Sequence, residues 1–209
     1  MPQRNRTRAL LGATLAIACA AVPAAPAHAD LIQTGACDDA ALTQPFAPWN
    51  DDRNYKLAPG GDVEGSLDGW TLARGAKVVA GSEPFAASGR LGSRSLAIPA
   101  GGSVTTAATC VNFDHPSFRF FAKSSGGLLG LLPVMTVELV YRDGLLGLVA
   151  VPVGTVTPGS SWKPSPVMLS LSVVGAAVAG GEAPLALRFR SVAGTWQVDD
   201  VFVDPFKRG

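Results

Sequence analysis

From Trp70 onward the sequence runs in short alternations of apolar and polar residues, broken every few positions by Gly, Pro or Ser. A period of two specifies strands, not helices. Phe118, Phe120 and Ala122 alternate with Arg119, Phe121 and Lys123, which sends one set inward and the other outward. Val137, Leu139 and Tyr141 alternate with Glu138, Val140 and Arg142 in the same way, and Asp143-Gly144 then supplies the positive φ of a two-residue hairpin. Val167, Leu169, Leu171 and Val173 form a further inward set, as do Leu185, Leu187 and Phe189. Pro99-Ala100-Gly101-Gly102 marks a turn between two strands. In the last strand Trp196 and Val198 have one parity and Val201 and Val203 the other, so a β-bulge at Asp199-Asp200 is needed to restore register. No segment shows a capped helical period. Residues 173–179 come nearest, and Gly175 with Gly180-Gly181 limits them to a turn or two. Eight or nine such strands predict an all-β, two-sheet antiparallel sandwich.

The N-terminus has a different character. Arg4, Arg6 and Arg8 precede an apolar stretch over residues 9–22 and a Pro-Ala region ending Ala27-His28-Ala29, the three-part layout of a secretory signal peptide. Fourteen apolar residues fall short of the roughly 20 that span a bilayer. Cleavage before Asp30 leaves 180 residues, with no transmembrane segment and the module as the whole mature chain. It removes three of the seventeen cations and none of the sixteen acids, so the net charge moves from +1 to −2. That balance excludes a strongly basic nucleic-acid binder. A rival reading lipidates Cys19 within Leu15-Ala16-Ile17-Ala18-Cys19, which loosely resembles a bacterial lipobox. Otherwise the signal carries Cys19 away and leaves Cys37 and Cys110, 73 positions apart, as one expected disulfide worth about 4 kcal/mol in the chain-entropy picture. Residues 30–58, punctuated by Gly35, Pro45 and Pro48, read as an irregular arm, and 59–209 as the sandwich.

Three stretches carry a family resemblance. Gly61-Asp62-Val63-Glu64-Gly65 leading to Gly69-Trp70, then Ser95-Leu96-Ala97-Ile98-Pro99, then Gly194-Thr195-Trp196-Gln197-Val198-Asp199-Asp200-Val201 resemble the opening, a middle and the closing strand of galactose-binding-like jelly-roll modules. That superfamily includes the carbohydrate-binding modules attached to glycanases. The resemblance implies a jelly-roll sandwich, and a structural calcium tying Glu64 to Asp199 or Asp200. The alternative for these acids is capping of local backbone N–H groups.

Catalytic signals are sparse. His115 is the one mature histidine and precedes Pro116, and there is no Gly-x-Ser-x-Gly elbow, Walker loop or zinc spacing. Two binding surfaces remain. Trp49 and Tyr55, in the arm, are free to stack on sugar rings or else pin the arm over a sheet. Arg119 and Lys123, Glu138 and Arg142, and Arg188 and Arg190 lie on outward parities. On one shared sheet they would form a cationic face for anionic wall polymers. The apolar run Gly126-Gly127-Leu128-Leu129-Gly130-Leu131-Leu132-Pro133 is either a sticky loop or a core plug. The expectation is a secreted, non-catalytic binding or structural module for cell-wall or extracellular polysaccharide, with a secreted glycan or ester hydrolase as the alternative.

Overall fold

A computed structural model describes residues 41–112, 117–126, 132–143, 146–169 and 182–204. Thirteen strands run through these residues: β1 Lys56–Leu57, β2 Thr71–Ala73, β3 Lys77–Ala80, β4 Arg94–Ile98, β5 Ser103–Thr105, β6 Thr109–Asn112, β7 Ser117–Ser125, β8 Val134–Asp143, β9 Gly147–Val156, β10 Lys163–Pro164, β11 Met168–Leu169, β12 Glu182–Ala193 and β13 Thr195–Asp204. They form two antiparallel sheets, a sandwich of jelly-roll type. The first has the order β10-β7-β13-β4-β3, with β1 added to β13 and β11 to β7. The second has the order β2-β5-β12-β8-β9, with β6 added to β12.

The alternations work as the period of two requires. Phe118, Phe120, Trp196, Val198, Leu96 and Ile98 from the first sheet meet Met135, Val137, Leu139, Leu185, Leu187 and Phe189 from the second in one buried core. Phe120 and Phe189 join the layers edge to face, their ring centroids 4.7 Å apart. The bulge at the aspartates is present. The β13–β7 register shifts between Asp199 and Phe202, Asp200 has a φ of 45°, and Val201 and Val203 thereby return to the core.

Several local expectations are corrected. Asp143 pairs with Gly147, so three residues and not two separate β8 from β9; Gly147 has a φ of 76°, and Gly144 lies outside the described residues. Pro99-Ala100-Gly101-Gly102 does make a turn, with the Gly102 N–H donating to the Pro99 carbonyl, but the strands it joins lie in different sheets. In β11 the buried residue is Met168, while Val167 and Leu169 are exposed. The segment 173–179 lies outside the described residues, as do Cys37 and His115.

The outer face of the first sheet is partly covered. Phe121 and Phe202, on outward parities, are sealed by Phe46 and Tyr55 of the arm into a second buried cluster. Phe46 stacks on Phe121 at 5.3 Å and meets Tyr55 edge-on at 5.0 Å. β1 extends the cover by pairing with the end of β13.

Candidate functional site

Beyond the arm, the same outer face opens into a groove of about 870 Å³. Its floor follows from the pairing of β7 with β13, where Lys123 stands opposite Gln197 and Ser125 opposite Thr195. Because Ala122, Trp196 and Val198 face the core, Lys123, Thr195 and Gln197 point away from it. One wall is the segment Pro158, Gly159 and Ser160, tied to β7 in both directions. The Ser124 N–H donates to the Gly159 carbonyl at 2.7 Å, and the Gly159 N–H donates to Ser124 Oγ at 2.9 Å. The other wall holds Gly126, Leu132 and Pro133. It closes on Gly194, whose φ is 74°. A Cβ there would stand 2.7 Å from Pro133 Cβ and 2.8 Å from the Gly126 carbonyl oxygen.

The groove is chemically mixed. It offers the Lys123 ammonium, the hydroxyls of Ser125, Ser160 and Thr195 and the Gln197 amide, between apolar surfaces of Leu132, Pro133 and Pro158. Lys123 Nζ sits 4.8 Å from the centre of the Trp162 ring. Gln197 Oε1 is buried and accepts no hydrogen bond. Such an acceptor costs about 1–3 kcal/mol unless a donor reaches it.

No family model and no curated protein matches the chain. Among solved structures it is similar to the CBM22-1 xylan-binding domain of Paenibacillus barcinonensis Xyn10C. The identity is 15%, the match takes in 71% of this chain and 94% of that one, and the TM-score is 0.47. It is also similar to the CBM22-1 and GH10 modules of a Clostridium thermocellum xylanase (12% identity, TM-score 0.47), where the match takes in 71% of this chain and only 28% of that one. A family 11 carbohydrate-binding module of Clostridium thermocellum is similar at 15% identity, 71% and 94% coverage and a TM-score of 0.43. At these identities the likeness concerns the fold.

The expected site residues are dispersed. Arg119 belongs to the first sheet, whereas Glu138, Arg142, Arg188 and Arg190 belong to the second, so the shared cationic face does not form. Arg119 is also buried. It donates to Asp51 Oδ2 at 2.7 Å and twice to the Ser165 carbonyl, and it lies over the Phe46 ring at 4.4 Å. Arg188 pairs with Glu138 at 3.2 Å, which leaves Arg142 and Arg190 as exposed cations of that sheet. Tyr55 is no sugar platform, since it is buried with its hydroxyl donating to Asp51 at 2.8 Å. Trp49 is half-buried against Phe85 and Phe121. These two rings pin the arm.

Asp51 gathers the arm's charges. Burial pushes its carboxyl up, but hydrogen bonds from Arg53, Tyr55 and Arg119 outweigh this and hold it at about 2. Burial and the bond to Asp51 push the Tyr55 phenol well above its usual range.

The acids expected at calcium are divided too. Glu64 accepts from the Ser93 N–H and hydroxyl and from the Arg94 N–H, at 2.6 to 2.8 Å, which holds its carboxyl below the usual range. The neighbour of the aspartates is Glu83, which is fully buried and was not singled out from the sequence. Asp199 Oδ2 accepts from the Ser82 hydroxyl and the Glu83 N–H, Asp200 Oδ2 from the Ser88 N–H, and Glu83 from the Phe85 and Ala87 N–H groups. Burial, reinforced by the neighbouring acids, pushes the carboxyls of Asp199 and Asp200 up, Asp199 to about 6. Among the described residues no three His, Cys, Asp or Glu side chains are placed to hold a metal ion. Each of these carboxylates accepts from loop N–H groups, Glu64 at Ser93 and Arg94 and the others at residues 83–88.

Proposed function

We propose that the chain is an exported, non-catalytic module that binds polysaccharide in the groove on the first sheet. The observation that carries this reading is the open groove itself, where the Lys123 ammonium, the Gln197 side chain and the hydroxyls of Ser125, Ser160 and Thr195 lie between apolar walls. A sugar ring presents both complements, hydroxyl donors at its rim and C–H faces above and below. The motif resemblance of the sequence points to the same ligand class. The N-terminal pattern of basic, apolar and small residues supports export. Among the described residues that line the groove there is no carboxylate, histidine or cysteine to support the hydrolase alternative.

The test is retention of the purified protein on a panel of insoluble polysaccharides, with assay of the supernatant for released reducing ends. Retention without release, lost on Gln197→Leu, is the expected result. Soluble fragments would establish the hydrolase, and equal retention of the Gln197 variant would move the binding surface elsewhere.

A further inference from the structure

Resting on that reading, we infer that the groove selects acidic glycan: the Lys123 ammonium takes the carboxylate of a uronate residue while a hydroxyl of the same sugar meets the Gln197 amide. The juxtaposition comes from register. Lys123 and Gln197 are direct cross-strand partners, so their Cβ atoms stand roughly 5 Å apart on one face. One ligand must therefore offer an anion and a donor within the span of a single ring, as a uronate does with its carboxylate and ring hydroxyls. A neutral sugar meets the acceptor and leaves the cation to water.

The charge of the groove is one-sided. Among the described residues Lys123 is the sole ionisable side chain that lines it, and no Asp or Glu of those residues forms an ion pair with it. The amine faces the Trp162 ring, a contact that leaves its N–H donors available. The Trp162 indole, which precedes β10 on the flank of β7, holds the Lys123 side chain from one side. Elsewhere on this face Arg119 is committed to Asp51, and Lys77 of β3 lies in the same cross-strand row as Lys123, beyond Gln197 and Ala97. An anion that enters the groove meets Lys123.

The experiment uses the full mature chain and four soluble polymers: polygalacturonate, its fully methyl-esterified form, dextran sulfate and neutral xylan, compared by affinity electrophoresis and calorimetry. Methyl esterification removes the charge and keeps the hydroxyls. Expected are binding of polygalacturonate at least tenfold tighter than of its ester, loss of that preference on Lys123→Met, its recovery on Lys123→Arg, and weakening as salt rises from 0.1 to 1 M, where the Debye length falls from about 10 to about 3 Å. Melting temperatures of both variants serve as the folding control. Equal binding of the ester and of neutral xylan, unaffected by Lys123→Met, overturns the acidic preference and leaves the glycan reading standing. Dextran sulfate binding as tightly as polygalacturonate overturns the uronate assignment in favour of charge alone. Binding of none of the four overturns both readings.

Discussion

The Arg119 guanidinium is buried, with its side chain 8% exposed, so its charge depends on Asp51. Removing one member of a buried pair strands the other, and Asp51→Asn is expected to lower stability by about 3 kcal/mol in a denaturant titration. The double variant with Arg119→Met should recover part of that loss, because the cation then leaves as well. Asp51 also sets an acid limit. Its folded carboxyl titrates at about 2, below its ordinary value of 3.8, so the stabilisation is complete above pH 4 and is lost as pH falls from about 4 towards 2. Asp51→Asn should flatten that stretch of the stability profile. Parity correctly marked Arg119 as outward from the core, yet outward is not exposed. The residues that bury it, Phe46 and Asp51, lie about 70 positions earlier, in an arm with no period to read.

At the scale of elements, β13 shows how two local breaks serve one strand. The Asp199–Asp200 bulge was legible because the inward parity reverses across it. Its partner Glu83 was not, since a single acid in a Gly- and Ser-rich loop carries no pattern. The bulge buries neighbouring acids, and Asp200→Asn keeps the shape and the tolerance for positive φ while removing a carboxyl whose ionisation the site opposes. This variant should gain about 1 kcal/mol at pH 7, read from thermal melts, and millimolar calcium should leave the melts of both proteins unchanged. A calcium-dependent rise abolished by Asp200→Asn would return these acids to metal binding. At the other end of β13, Gly194→Ala must push a methyl group against Pro133 and the Gly126 carbonyl from a φ of 74°. The expected cost is about 2 kcal/mol, with weaker polymer retention because the groove wall moves. The floor of that groove was only half legible. Lys123 reads as outward, but its pairing with Gln197 across 74 positions is a long-range register that no local pattern encodes.

In the whole molecule, the outer face of the first sheet is divided between a closed half under the arm and an open half at the groove. Phe46→Ala should therefore cost about 3–5 kcal/mol, whereas Trp49→Ala should cost less and leave polymer retention intact. The alternation foretold a sandwich but not which strands share a sheet, because parity gives the direction of a side chain and is silent about neighbours. That silence matters most at the end of the chain. β12 is central to the second sheet and β13 to the first, and Gly194 alone joins them. During synthesis, every strand up to β11 leaves the ribosome before either sheet has its middle. The earlier pairings β3–β4, β2–β5 and β8–β9 are ribbons with one apolar face unmatched. Both layers thus lack their central strand until β12 and β13 are made, and the one-residue link at Gly194 delivers the two together.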